Sequence, residues 1–300
     1  MEQGWRQAKG MFWAMLTAPL FWLVVFFFVP LGIVWLYSFG ENRGLIDIVF
    51  TGTWSNYAHI FDLTQPYLDI FVKSLWIATL TTFFCLVLGF PVALAITFAP
   101  PKAKAWLLLL VMLPFWTNLL IRTYALMAFL RTEGYINTTY HVLFDMANAV
   151  AGGHLGTFQP MELMNTNFAV VLGLVFVNLP FMILPLYSTL DRMDRSLLEA
   201  SLDLGAGHIS TLFNIVVPMA GAGIVSGILI TFIPALGSYL TPDMLGGPDS
   251  QMIANVIESQ FKRANNWPFG AALSFILVYM TFIGIAIQGL LERKDAGRSA

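Results

Sequence analysis

The chain has 300 residues, 58% of them hydrophobic and 11% charged, with a mean hydropathy of +0.74, whereas a soluble domain carries about 25% charged residues; these proportions exclude an ordinary water-soluble globule and make lipid the solvent. A formal charge of −2 supplies no basic field for nucleic acid. The single Cys85 excludes a disulfide framework, and His59, His141, His154 and His208 are too scattered to suggest a metal site.

A helix needs about 20 mostly apolar residues to cross a bilayer, and six stretches supply them in chain order: roughly 16–40, 72–98, 105–130, 166–190, 215–240 and 268–291. The first follows a short tail with Arg6 and Lys9. Its apolar run exceeds the ~7–15 residues of a signal-peptide core and no A-x-A-like site follows, so it reads as an uncleaved first helix. Pro30, Pro91, Pro114, Pro180 and Pro185 lie within spans, where each is expected to kink the helix or free backbone carbonyls. Between the second and third spans, "APPKAKA" has the length and prolines of a tight helical hairpin. The connections 41–71, 131–165 and 241–267 are long and hold aromatic and amphipathic stretches suited to a platform for a soluble partner. No internal repeat is visible, so an inverted-repeat secondary transporter receives no support.

Nine of the fifteen Lys and Arg residues fall on one side of these spans: Arg6, Lys9, Lys102, Lys104, Arg192, Arg195, Arg293, Lys294 and Arg298. That bias puts both termini in the cytoplasm. Ten of the seventeen acids fall on the opposite side, leaving the outer face net negative. Two readings stand: the acids solvate exposed loops, or they draw cations to this face.

The fourth connection, "DRMDRSLLEASLDLGAGHISTLFN", breaks the apolar pattern. Ser196 followed three residues later by Glu199 predicts a capping box and a helix from about Leu197. Gly205 stops that helix by taking a left-handed conformation, and a second short helix, about His208 to Asn214, leads into the fifth span, with Pro218 tolerated near its start. Leu197, Leu198 and Leu204 form an apolar side. Glu199 and Asp203 share the other at i, i+4, where like charges repel by a few tenths of a kcal/mol. Either water and Arg195 relieve that repulsion, or a basic groove on another protein receives the pair.

The spacing E-A-A-x3-G-x9-I-x-L-P is the permease signature of bacterial ABC importers, and the chain resembles it through Glu199, Ala200, Gly205, Ile215 and Pro218, departing at Ser201 and Val217. In that family this loop is the coupling helix that docks on a nucleotide-binding subunit. The resemblance thus implies that Glu199, Ala200, Ser201, Asp203 and Gly205 serve ATPase coupling. The chain lacks G-x-x-x-x-G-K-[ST] and so has no phosphate-cradling loop of its own. Three stretches, "LPFWTNLLIRTYAL" (113–126), "LLEASLDLGA" (197–206) and "LGGPDSQMIANVIESQF...NWPFGAA" (245–272), are similar to the spermidine/putrescine permeases within the family.

A polyammonium cargo needs carboxylates for charge and aromatic faces for cation–π contact, each worth about 0.5–2 kcal/mol. Trp116 and Tyr124 in the third span, Tyr239 near the end of the fifth, and the acids Asp243 and Glu258 beyond it supply these types. For each aromatic the alternative is interfacial anchoring or bundle packing. Asn118 either hydrogen-bonds a passing ammonium or joins two helices. Arg122 repels a cation, so snorkelling, a structural pairing or a gate suits it better.

The expectation is an all-α integral membrane protein, a six-transmembrane-helix ABC importer permease bundle with a cytoplasmic coupling helix. Residues 1–15 form an N-terminal tail, 16–291 the permease domain with its coupling loop at 191–214, and 292–300 a C-terminal tail, in a bacterial inner membrane. It is a non-catalytic subunit with no bound cofactor, ATP and Mg belonging to a partner ATPase. The implied partners are a second homologous permease, two ATPase subunits, a periplasmic substrate-binding protein, a small cationic substrate and lipid. One alternative keeps the architecture and carries a metal ion or oxyanion. The other, an ATPase-independent transporter or channel, leaves the Glu199–Pro218 pattern unexplained.

Overall fold

The computed structural model describes residues 9–43, 47–151 and 156–296; Arg6, His154 and Arg298 lie outside them. The chain opens with α1 (Lys9–Leu23), a wider π-helical turn (Val24–Phe28) and α2 (Val29–Tyr37), so the first helix begins inside the expected tail. The π turn sits just before Pro30, and the Val29 N–H bonds back to the Val24 carbonyl. Proline cannot donate and its ring crowds the preceding turn, so the ladder widens there. A short antiparallel hairpin follows, β1 (Gly40–Arg43) on β2 (Asp47–Phe50), with Gly40 opposite Phe50 and Arg43 opposite Asp47. It is the exception to the all-helical expectation among the described residues.

Next come α3 (Ser55–Ile60), α4 (Tyr67–Phe98) and α5 (Pro101–Met112), the last leading through a 3₁₀ turn at Leu113–Trp116 to α6 (Leu119–Leu130). Then follow α7 (Tyr135–Val150), α8 (Asn167–Leu190), α9 (Ser196–Asp203) and α10 (His208–Thr211). A second π turn, Leu212–Val216, joins α10 to α11 (Val217–Met219) and α12 (Gly221–Leu236), and α13 (Leu240–Leu245), α14 (Ile253–Lys262) and α15 (Trp267–Ala296) complete the chain.

Four stretches are long and apolar enough to cross a membrane unbroken: Met15–Tyr37, Tyr67–Phe98, Asn167–Leu190 and Trp267–Ala286. The six expected spans are reached when two bent pairs count as one each: Pro101–Trp116 with Leu119–Val150, bent by 94°, and His208–Met219 with Gly221–Leu236, bent by 67°. The third span is therefore not the single helix that residues 105–130 predict. It breaks just after Pro114, where Thr117 is extended (φ −87°, ψ 147°) and Asn118 starts a new helix. Pro91, Pro180 and Pro185, by contrast, lie inside continuous helices.

The chain divides into two units, one drawn from 1–68 with 256–300 and the other from 69–255. In the first, Phe39 packs against the rings of Trp35, Trp54 and Tyr57 at centroid distances of 5.1–5.4 Å. Hydroxyls are paired beside that cluster: Trp35 Nε1 donates to the Tyr279 hydroxyl at 2.8 Å, and the Ser38 and Tyr57 hydroxyls meet at 2.8 Å. Burial pushes the Tyr57 phenol above its ordinary value.

In the second unit, α4, α8 and α12 close on a core of Cys85, Ala93, Ile96, Met182, Ile183 and Leu186. Lipid tails are as apolar as leucine, so close packing rather than expulsion from water holds such helices together. Glycine makes the approach possible. A Cβ on Gly223 would lie 2.6 Å from Thr189 Oγ1 and 2.9 Å from the Pro185 carbonyl, and one on Gly227 would lie 2.7 Å from Met182 Sδ.

Candidate coupling and translocation residues

The loop from α8 to α12 is built from local hydrogen bonds. The α8 ladder ends as the Asp191 N–H reaches the Tyr187 carbonyl at 2.8 Å. Asp194 then starts α9: its Oδ1 accepts the Ser196 N–H at 3.0 Å, which holds this exposed carboxyl below the usual carboxylate range. The predicted Ser196–Glu199 capping box is thus replaced by a cap two residues earlier, a carboxylate being the stronger acceptor for free helix N–H groups. At the other end Gly205 takes φ +84°. The Ala206 N–H reaches the Ser201 carbonyl at 3.1 Å and the Gly205 N–H the Leu202 carbonyl at 2.9 Å, a double closure that requires the left-handed residue. Gly207 is extended and opens α10.

The two short helices are joined through Ser201 and Thr211, buried hydroxyls 2.9 Å apart. Ser201, one of the five residues assigned to coupling, therefore faces inward, whereas Glu199, Ala200, Asp203 and Gly205 are exposed. Leu204 and Ile209 are 89% and 75% exposed beside them. The result is an acidic, apolar knob.

Arg195 does not neutralise Glu199. Its Nη2 donates to the Thr97 carbonyl at 3.1 Å, at the end of α4, and its guanidinium lies 5.5 Å from the centre of the Phe98 ring. Nearby, Lys104 in the first turn of α5 forms an ion pair with Asp191, and the Tyr187 hydroxyl hydrogen-bonds the same carboxylate. The Lys104 ammonium holds the Asp191 carboxyl below the usual range, with desolvation opposing and Tyr187 and Arg195 assisting. A cleft of about 440 Å³ opens between α9, α10 and the end of α4, with Arg195, Glu199 and His208 among its apolar lining.

Of the proposed path residues, Trp116, Asn118 and Tyr124 share the broken segment. Trp116 ends the 3₁₀ turn and is 75% exposed, and Tyr124 is exposed on α6. Asn118 has a structural duty: its Oδ1 accepts the Leu120 N–H at 2.8 Å and caps α6. Arg122 buries Nε and Nη1 without a hydrogen-bond partner among the described residues. Tyr239 precedes α13, and its carbonyl accepts both the Asp243 N–H at 3.0 Å and the Asn255 side-chain amide at 2.8 Å. That places the exposed Asp243 one turn from Tyr239. Leu126 of α6 and Leu245 of α13 pack in one cluster, so Asp243 stands on a helix packed against the one carrying Tyr124. Glu258 belongs to the other unit, where it pairs with Lys262 at 3.0 Å.

Asp194, Lys104 and Asp191 are not among the residues that the sequence pattern singles out. A carboxylate two residues before Ser196 was a readable cap signal. The Lys104–Asp191 pair was not readable, because its members are 87 positions apart.

The family described as "Binding-protein-dependent transport system inner membrane component" matches residues 6–295. The chain is 38% identical over 277 residues to the spermidine/putrescine transport system permease protein PotB of Haemophilus influenzae, covering 91% of this chain and 92% of that protein. To the protein of that name in Escherichia coli it is 39% identical over 265 residues, covering 88% and 91%. Its fold is similar to a chain of a bacterial ABC transporter involved in the import of the acidic polysaccharide alginate, with a TM-score of 0.71, 14% identity, and coverage of 97% of this chain and 99% of the other.

Proposed function

Because the chain belongs to the family of inner membrane components of binding-protein-dependent transport systems, we propose that it is the permease subunit of an ATP-driven polyamine importer of the putrescine/spermidine type. The observation that carries the cargo is the 38–39% identity, over about nine-tenths of the chain, to permeases named for spermidine and putrescine. In this reading both termini and the α9 loop face the cytoplasm and the acid-rich loops face the periplasm. The chain binds no nucleotide. ATP and Mg sit on two partner ATPase subunits, a second related permease completes the path, and a periplasmic binding protein delivers the substrate.

Mechanistically, α9 is the coupling helix. The exposed Glu199 and Asp203 offer charge, and Leu204 and Ile209 offer apolar area. ATP-driven closure of the ATPase pair moves this knob, and the bundle changes which side it opens to. ATP and substrate shift that equilibrium only through different affinities for the two states. For the cargo, the carboxylate of Asp243 and the rings of Tyr239, Tyr124 and Trp116 are of the type that holds an alkylammonium. Glu258, on the other unit, is a carboxylate of the same type, and Asn118 offers its side-chain amide.

The test is competition in vesicles holding the complete transporter. Putrescine and spermidine should each inhibit labelled putrescine uptake, and unrelated solutes should not; inhibition by neither polyamine sinks the cargo. Asp243→Asn should weaken dication uptake several-fold while the complex still assembles.

A further inference from the structure

The loop that carries α9 is fastened to something other than the two helices it connects. Asp191, at its start, pairs with Lys104 of α5. Arg195, four residues on, holds the last turn of α4 by the Thr97 carbonyl at 3.1 Å and by the Phe98 ring. Between these two anchor points lies the turn joining α4 to α5, stiffened by Pro100 and Pro101. The loop therefore grips both sides of one helical hairpin. The Arg195 grip suits its place: a cation at the carbonyl end of α4 meets the negative end of the helix dipole, and a guanidinium over an aromatic face adds cation–π attraction.

We infer that Lys104, Asp191 and Arg195 are positioning residues that make the α4–α5 hairpin a follower of α9, so that a stroke applied to the coupling helix moves these two spans directly. Without the clamp, motion of α9 reaches α8 through Asp191–Arg195, α12 through α10 and α11, and α4 only through the apolar packing of Met193 and Leu198 on the core. With it, the stroke is distributed to four of the bundle's helices. The clamp remains closed throughout the cycle, because a contact that opened would transmit nothing. This inference rests on α9 being the coupling helix.

The experiment uses the complete transporter in vesicles and reads uptake and ATP hydrolysis together. Asp191→Asn and Lys104→Gln should each lower the solute imported per ATP hydrolysed by about fivefold or more. The exchanged pair Lys104→Asp with Asp191→Lys should recover at least half, which a merely structural loss would not. Unchanged stoichiometry in the single variants, or no recovery in the exchange, overturns the clamp. Should the single variants fail to assemble, Lys104→Cys with Asp191→Cys, bridged after assembly by a short bis-methanethiosulfonate, decides instead: solute imported per ATP should be low before bridging, rise on bridging and fall again on reduction, and a ratio that bridging leaves unchanged or lowers overturns the clamp. If the unaltered transporter shows no ATP-dependent uptake of putrescine, the functional reading fails. If it does and the variants couple normally, only the clamp fails.

Discussion

A carboxylate that loses its proton more readily in the folded than in the unfolded chain stabilises the fold only while it is charged, and Asp191 is in that position beside the Lys104 ammonium. The stabilisation is fully present above the unfolded value near 4 and is lost as pH falls through the lower, folded value. Thermal unfolding of the purified protein should therefore show no change from this pair between about pH 8 and 5, and a loss beginning only below ~4. Asp191→Asn should remove that acid limb. The same residue shows where sequence stops being informative. "DRMDRS" announces charges at the end of a span, but which of them pair locally and which reach another helix is decided by the fold. Asp194 turns to its own backbone, whereas Asp191 and Arg195 turn to α5 and α4.

At the level of elements, the α9–α10 pair was the most legible part of the chain, because glycine punctuation and amphipathic spacing act locally. Gly205 stops α9 as expected; the capping box failed only because Asp194 offered a better acceptor two residues earlier. The meaning of Ser201 emerged from tertiary structure alone. Where the family spacing has alanine, this chain has a serine that meets Thr211 at 2.9 Å. Ser201→Ala should leave the Thr211 hydroxyl buried and unpaired, at a cost of about 1–2 kcal/mol. Ser201→Ala with Thr211→Val should recover most of that. Hydrogen exchange at the amides of 205–211 reads the opening directly, and equal exchange in single and double variants would show that the pair contributes nothing.

Across the whole molecule, hydropathy gave four spans of nearly the right extent and two that prove to be bent pairs of helices, because the thickness of a bilayer fixes the length of an apolar stretch but not whether its helix is continuous. It could not give the packing itself, since every span is apolar and glycines in a membrane helix have no signature of which neighbour they admit. α8 and α12 show the difference. Gly223→Ala would press a methyl group against Thr189 and the Pro185 carbonyl, and because a backbone carbonyl cannot step aside the cost should be about 1–3 kcal/mol. Gly221→Ala, two residues earlier on the same helix, meets nothing within 4 Å and should be neutral or mildly stabilising, since alanine is the better helix former. Thermal unfolding in detergent separates the two. If both behave alike, the interhelical contact is not what limits stability.

The broken third span also constrains its own surroundings. Where Thr117 turns extended and α6 begins again at Leu119, the ladder is interrupted: the Pro114 carbonyl accepts the Thr117 N–H at 3.2 Å and the Thr117 hydroxyl at 2.7 Å, while the first amides of α6 have no preceding turn to serve. The Asn118 side chain answers one of those amides, Leu120. Hydrocarbon can answer none of the others. Irregular backbone at membrane depth is tolerated only against protein or a water-filled cavity, so in the working transporter protein, water or passing solute, and not lipid, is what should cover this gap.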